Sequence, residues 1–389
     1  MVITDICDIL SNFLQRYIFL RKYANFFLSS HDFCVPLQSI KNFLQVRRYL
    51  FILLPIVCLL LGLFGWLASR YYFSRVCNFR SMDGEAHGYF VYPGASVDSV
   101  LALVLADYEV LSLSSFRSEC ERQQAKTFKE GYYRLPAQLG SRSFVYRLRT
   151  GSQTPVRLSF NRNIRTNQQL ASRLSKQLLL DSTALVTKLQ SSDYMAQYGL
   201  TPQTALCLFL PNTYEVYWSM SVDALFERFH REYTKFWNEE RLAKAKSIGL
   251  TPEQVYTLAS IVASETNRVD EHATIAGLYI NRLRKGMLLQ ACPTAVYASG
   301  NFALKRVLKK HIEFDSPYNT YKYLGLPPGP IRCVETSVLD SVLNYKPSKY
   351  LYMCANPDFS GTHVFSSSYA EHSAVARRYQ RALNQRRIR

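Results

Sequence analysis

One carboxylate in this sequence is set up by its spacing for proton transfer. Thr251-Pro252-Glu253-Gln254 opens a helix in three ways at once: a Thr N-cap, Pro at the first helical position, and Gln at N3 closing a capping box. The helix is expected to run to about residue 266, with an apolar stripe of Val255, Leu258, Ala259 and Val262. Continuing that stripe by three lands on Glu265, so a carboxylate sits on the inward face at the helix end. Burial against apolar side chains disfavours the charged form and raises the pKa, as a general acid working near neutral pH requires. The pattern leaves two other readings open: a glutamate paired with a neighbour such as Arg268, and one frayed into solvent.

Other reactive groups are less organised. His363, Glu371 and His372 are metal-ligand types, but without HExxH or comparable spacing they read as packing and capping residues, and no metal is expected. No GxGxxG, Walker A or GxSxG string occurs, which argues against nucleotide binding and serine hydrolysis. The nine cysteines are never closer than 19 residues, which removes CxxC zinc knuckles, and their odd, scattered placement makes no disulfide framework.

The elements around Glu265 follow from periodicity and punctuation. Asp270 is expected to cap a second helix reaching Arg284 and stopped by Gly286, with Ile275, Leu278, Tyr279 and Leu283 inward and Asn281 beside them. Loops then carry Tyr318-Asn319-Thr320-Tyr321 and residues 325–330. A hairpin of residues 350–355 and 363–365, turned by 356–361, leads into a final helix from Tyr369. Upstream, a strand over 89–92, helices from Ser96 and over 113–124, and a strand over 131–135 form a β-α-α-β unit. Tyr132 and Tyr133, with Arg134 and Arg142 near, either stack on sugar rings or bases or belong to the core. A helix over 143–148, a strand over 155–160 and a helix over 167–180 follow. Residues 183–249 read as helical apart from 208–218 and end in one charged helix, 222–247.

One segment overrides the soluble default. Residues 49–69 are 21 consecutive uncharged residues bracketed by Arg47-Arg48 and Arg70. At about 1.5 Å per residue they reach across a hydrocarbon core of ~30 Å, and a single transmembrane helix is expected rather than a buried core helix or a cleaved signal. Trp66, Tyr71 and Tyr72 supply interfacial aromatics at one end. Lys41, Arg47 and Arg48 balance Arg70, Arg75 and Arg80, but the six basic residues of the first 48 tip the orientation to a cytoplasmic N-terminus. Ile6, Leu10, Phe13, Tyr17 and Leu20 recur at helical spacing, which reads either as an interfacial helix or as residues ahead of the true translation start. With 47 Lys+Arg against 29 Asp+Glu the net charge is 47 − 29 = +18, which points to a polyanionic partner: nucleic acid, an anionic membrane surface or an acidic polymer. Arg377, Arg378, Arg381, Arg386, Arg387 and Arg389 crowd the end as a solvated face or a contact to anionic lipid or polymer.

The string from Leu258 to Gln290, LASIVASETNRVDEHATIAGLYINRLRKGMLLQ, resembles the YceG-like family of membrane-anchored endolytic murein transglycosylases. The likeness continues through Pro293-Thr294, Tyr318-Asn319-Thr320-Tyr321, Gly325-Leu-Pro-Pro-Gly-Pro-Ile331, Tyr350-Leu-Tyr352, Gly361-Thr-His-Val-Phe-Ser366 and Ala370-Glu-His372, and more faintly back through Leu210-Pro-Asn-Thr-Tyr214. The family's catalytic glutamate falls in the string that here is Ser264-Glu265-Thr266. Where members carry another Glu and an Asp before Pro-Thr, this chain has Ala263 and Cys292.

The resemblance implies an α+β protein: a cytoplasmic segment (1–48), a transmembrane helix (49–69), a linker (70–85), a LysM-like and connecting binding region (86–249) and a catalytic domain (250–389). It implies cleavage of the bond between N-acetylmuramic acid and N-acetylglucosamine to leave 1,6-anhydro ends, with Glu265 as acid and then base. Asn281, Gln290, Thr294, Tyr318, Asn319, Thr320, His363 and Glu371 are of types that would orient substrate. The implied partners are peptidoglycan strands, inner-membrane lipid and peptidoglycan synthases, with the catalytic part in the periplasm, no nucleic acid and no cofactor. A non-catalytic peptidoglycan-binding scaffold and a membrane-tethered binder of nucleic acid or anionic lipid are the rival readings.

Overall fold

The computed structural model describes Gln15, residues 37–304 and residues 307–385; the helical spacing from Ile6 to Leu20 and the last four residues lie outside it. A single helix, α1 (Leu37–Tyr71), carries the apolar run, Pro55 included, and passes into a π-helical turn at Tyr72–Val76. Phe51–Val76 is long and apolar enough to cross a membrane, and none of it is buried in the protein. A core helix would be covered by its neighbours. Here Phe51, Leu59, Leu60, Phe64 and Trp66 all stand exposed, so this face has the length and composition of an anchor.

The stretch read as a linker contains a strand. β1 (Phe79–Ser81) leaves the π turn, β2 (His87–Val91) and α2 (Val97–Val104) follow, then β3 (Tyr108–Val110) and α3 (Leu113–Arg122), then β4 (Gly131–Leu135), β5 (Gln138–Leu139) and α4 (Ser141–Thr150). β1 lies between β3 and β5, antiparallel to both, and β2 pairs with β4 in the register Tyr89↔Tyr133. Ser96 and Ser112 cap α2 and α3 by accepting the amides of Ser99 and Ser115. Alternation along β2 and β4 sends Tyr89, Val91, Tyr133 and Leu135 into a core where Phe79, Phe116 and Phe144 stack. Tyr133 is therefore core, its hydroxyl donating to the Lys129 carbonyl at 2.9 Å. Tyr132 packs on Phe90, which in turn meets Trp218 of the next unit. Gly140 lets the end of α1 dock closely: a Cβ there would lie 2.6 Å from the Ser74 carbonyl oxygen.

A second core begins at Leu158 and is shared with the helices after residue 250, so the apolar interior divides between Leu148 and Leu158 rather than near 249. β6 (Val156–Ser159), α5 (Asn167–Ser175), α6 (Ser182–Gln190) and α7 (Ser192–Ala196) precede β7 (Thr213–Val216), which pairs antiparallel with β6. The charged helix expected over 222–247 is two helices, α8 (Val222–Phe236) and α9 (Glu239–Ile248). Trp237 turns into the core, 5% exposed, and the Asn238 side chain accepts the Arg241 amide to start α9 afresh.

The last part surrounds α10 (Pro252–Glu265), which has the expected Thr251–Gln254 capping box. It is no amphipathic stripe: every residue from Val255 to Ala263 is buried, with α11 (Val269–Arg284), α12 (Cys292–Ser299) and α14 (Thr336–Leu343) packed around it. α13 (Lys309–Ile312) lies between the last two of these. Arg268, not Asp270, precedes α11, and Asp270 sits in its first turn, 2.8 Å from the Arg268 guanidinium. β8 (Tyr352–Ala355) and β9 (His363–Ser366) form the expected hairpin, and α15 (Tyr369–Gln385) begins at the expected residue.

Candidate active site

Glu265 is the last residue of α10, after which the backbone turns extended at Thr266. Its Oε1 accepts a 2.7 Å hydrogen bond from the hydroxyl of Tyr279, a residue of α11 that is 2% exposed. Arg268 is engaged by Asp270, so the alternative in which it neutralises Glu265 is not the one adopted. The Glu265 side chain is half-buried, facing solvent through a pocket of about 270 Å³ while protein atoms crowd the carboxyl. That burial lifts its pKa above the ordinary glutamate value; the Tyr279 hydroxyl and the charge of His363 pull it part of the way back.

His363 opens β9 and is held by Glu271 of α11, a buried carboxylate 7% exposed. The Glu271 oxygens accept the His363 main-chain amide at 2.7 Å and its ring Nδ1 at 2.8 Å. A carboxylate only accepts, so Nδ1 carries a proton and Nε2 is the nitrogen left to face outward from the pair. Thus the hairpin, the first turn of α11 and the end of α10 meet around one carboxyl group.

The other residues singled out in the sequence do not line this pocket; they hold the elements around it. Asn281 donates both amide hydrogens to the carbonyls of Ser348 and Tyr350, at 2.8 and 3.0 Å. Thr294 and Thr320 are buried and joined hydroxyl to hydroxyl at 2.8 Å. Asn319, wholly buried, donates to the carbonyls of Ile312 and Phe314 and accepts the Tyr321 amide. Tyr318 packs on Tyr297 with ring centroids 4.7 Å apart. Gln290 is exposed, and its side-chain oxygen lies 3.3 Å from the Arg282 guanidinium. Glu371 caps α15 by accepting the amides of Ser367 and Ser368.

Ser264, Pro293, Ile331 and Cys292, named in the family strings, line the pocket with Glu265, whereas Val296, Tyr297, Phe302, Leu304, Arg165 and Arg332 were not singled out in the sequence. The Cys292 sulfur lies 3.1 Å from the Tyr321 hydroxyl, and burial raises its thiol pKa. Ile331 is fixed when its amide donates to the buried Ser260 hydroxyl at 3.0 Å. Gly329 makes that loop possible, since a Cβ there would lie 2.0 Å from the Gln203 carbonyl oxygen. Among the described residues lining the pocket, Glu265 is the one carboxylate.

Tyr279→Phe removes a donor that favours the charged form of Glu265, so the Glu265 pKa is expected to rise further. Titration of isotope-labelled glutamate by NMR reads this as a midpoint displaced to higher pH. A downward displacement would show that the Tyr279 hydroxyl does not act on the carboxyl.

A lone, half-buried carboxyl with a raised pKa, at a pocket walled by aromatic rings, defines a site for proton transfer to a bound ligand, on an α+β fold behind an anchor-like helix. The chain matches the YceG-like family over residues 89–378 and belongs to it. The endolytic murein transglycosylase of Bacillus subtilis (strain 168) is 26% identical over 314 residues, 75% of this chain and 84% of that one. The endolytic murein transglycosylase of Streptococcus pneumoniae serotype 2 is 31% identical over 150 residues, 38% of this chain and 27% of that one. A crystal structure of a YceG-like protein from Listeria monocytogenes shares the fold at a TM-score of 0.50 and 24% identity, covering 75% of this chain and 99% of that one.

Proposed function

We propose that this protein is a membrane-anchored endolytic lytic transglycosylase cutting the β-1,4 bond between N-acetylmuramic acid and N-acetylglucosamine within nascent murein strands. The observation that carries the reading is the single protonatable carboxyl of Glu265 at a pocket whose described lining holds no second carboxylate. The endolytic murein transglycosylases among its relatives support the substrate class.

Glycosidases that use water need a second carboxylate to attack or to activate the water. Attack from within the sugar needs only one. Protonated Glu265 gives its proton to the glycosidic oxygen as the bond from muramic C1 to that oxygen breaks. The resulting carboxylate then takes the proton of the same sugar's C6 hydroxyl as that oxygen closes on C1, forming the 1,6-anhydro ring and restoring the acid. Tyr279 orients the carboxyl, His363 biases its charge, and Tyr297 and Phe302 offer apolar rings for the sugars. Asn281, Thr294, Asn319, Thr320 and Glu371 serve this site by holding its loops and hairpin.

In this reading the anchor lies in the inner membrane with the N-terminus cytoplasmic and all that follows it periplasmic. The pocket then meets strands as they leave the membrane, beside the synthases that make them. The net charge of +18 suits a polymer rich in peptide carboxylates.

The test is digestion of purified sacculi by the detergent-solubilised full chain, with mass analysis of the new ends. Fragments lacking one water, as anhydro ends require, are the expected products. Reducing ends would mean hydrolysis, and strands that bind without new ends would mean a non-catalytic scaffold; either overturns the reading.

A further inference from the structure

The pocket that holds Glu265 is also lined by two arginines from distant parts of the chain, Arg165 and Arg332. They are brought together by the main chain: the Cys333 amide donates to the Ile164 carbonyl at 2.7 Å, beside both residues. Arg332 is 9% exposed, its Nε donating to the Arg162 carbonyl at 2.8 Å and its Nη1 directed at the Ala263 carbonyl at 3.4 Å. Those carbonyls orient the guanidinium without neutralising it. The Arg165 guanidinium lies over the ring of Phe302, 4.9 Å from its centroid, and Phe302 faces the same pocket.

Neither arginine has an ion-pair partner among the described residues, although elsewhere the half-buried Arg241 is matched to Asp340 and Arg122 to the buried Glu119. Burial and the like charges of Arg165 and Arg162 disfavour the charge of Arg332, which Glu335 nearby offsets only in part. An arginine keeps its charge in proteins, and a buried charge without a counter-charge is costly. A ligand anion in the pocket would supply the missing partner.

This step rests on the transglycosylase reading. In peptide-bearing murein the lactyl carboxyl of each muramic acid is tied up in the amide to its stem peptide, so the anions along the strand are the carboxylates of the stem peptides. A planar guanidinium pair matches a carboxylate in two-point hydrogen bonds. We infer that Arg165 and Arg332 form a carboxylate-binding subsite for the stem peptide, so that strands with free peptide carboxylates are the preferred substrate over the same strands with those carboxylates amidated. A strand cut internally carries stem peptides beside the scissile bond, whereas a lipid-linked diphosphate stands only at its end, which is why the peptide is the anion chosen.

The experiment compares soluble murein strands with the same strands after carbodiimide coupling to ammonia, which amidates the peptide carboxylates without uncovering the lactyl ones, using the full chain in detergent. Turnover is measured with the unmutated protein. Binding to fluorescently end-labelled strands is measured by anisotropy in a Glu265→Gln background, where it does not depend on catalysis. The unmutated protein is expected to favour the strands with free peptide carboxylates by about tenfold in both kcat/KM and binding, with binding weakened by salt. Arg165→Gln is expected to bring both ratios close to one. Arg165 is half-buried and replaceable without opening the core; Arg332→Lys, which keeps the charge but loses the fork, is the second variant and is expected to lower the ratios in part.

Equal turnover and binding of the two strand types by the unmutated protein would overturn the subsite, as would an undiminished preference in Arg165→Gln. Tight inhibition by inorganic diphosphate without any preference for free peptide carboxylates would assign the arginines to the lipid-linked end and likewise overturn it. A binding preference without cleavage of either strand would sustain the subsite while removing the transglycosylase reading.

Discussion

Glu265→Gln is expected to lower strand cleavage by about 10³-fold while leaving the protein as stable as before, or more so, at neutral pH. Glutamine keeps the shape and still accepts the Tyr279 hydroxyl, but has no proton to give and cannot take one back. The stability half follows from linkage. The Glu265 pKa in the fold lies above that of the unfolded chain, so the folded state binds the proton more tightly. The stability this contributes is fully present below the unfolded value, about 4.3 for an ordinary glutamate, and is lost as pH rises through the folded one. Glutamine resembles the protonated form at every pH. The Tm of the variant should therefore match that of the parent in acid and exceed it at neutral and higher pH. Cleavage by the parent should fall with rising pH over the window where Glu265 gives up its proton. An inactive variant that also melts earlier at neutral pH would mean that Glu265 is a structural anchor.

The sequence was most legible where signals were local. The capping box of α10, the start of α15, the hairpin of β8 and β9, and the position of Glu265 at a helix end all depend on residues a few places apart. What lay beyond reach was pairing across the chain. Glu271 meets His363 across 92 residues, and Arg332 reaches the Arg162 carbonyl across 170. Nothing in local spacing announces such contacts. Polar types near the family strings were also ambiguous for a physical reason. A loop-rich wall must satisfy its own buried carbonyls and amides, and Asn281, Asn319, Thr294 and Thr320 do that work in the fold. Tyr279 is the instructive intermediate: the helical spacing placed it inward, and its hydroxyl at Glu265 became visible only once α10 and α11 were packed together.

The second large effect is expected at Glu271, where one side chain joins α11 to the hairpin. Glu271→Ala leaves the main-chain amide of His363 and its Nδ1 proton without acceptors in a buried setting, and opens a gap at 7% exposure. Breaking a buried hydrogen-bonded pair of this kind costs about 3 kcal/mol, and in a chain of this size that corresponds to roughly 4 °C in Tm. Since β9 carries His363 to the neighbourhood of Glu265, cleavage should fall together with stability, and the alanine alone cannot tell the two apart. Glu271→Gln separates them. Its carbonyl oxygen can still accept the His363 amide, so most of the docking survives. Its NH2 group now faces Nδ1, however, and can only donate to it, so Nδ1 is left as an acceptor with the ring proton on Nε2. If the outward nitrogen of His363 matters to the chemistry, Glu271→Gln should melt close to the parent yet cleave about tenfold more slowly, with the tautomer change visible in the imidazole nitrogen shifts. If the tautomer changes and the rate does not, Glu271 and His363 only fasten the hairpin, and His363→Asn should then be equally active. A double-mutant cycle between Glu271→Ala and His363→Ala measures the fastening itself: a coupling well above 0.5 kcal/mol marks a cooperating pair, because sites that do not touch add within about that margin.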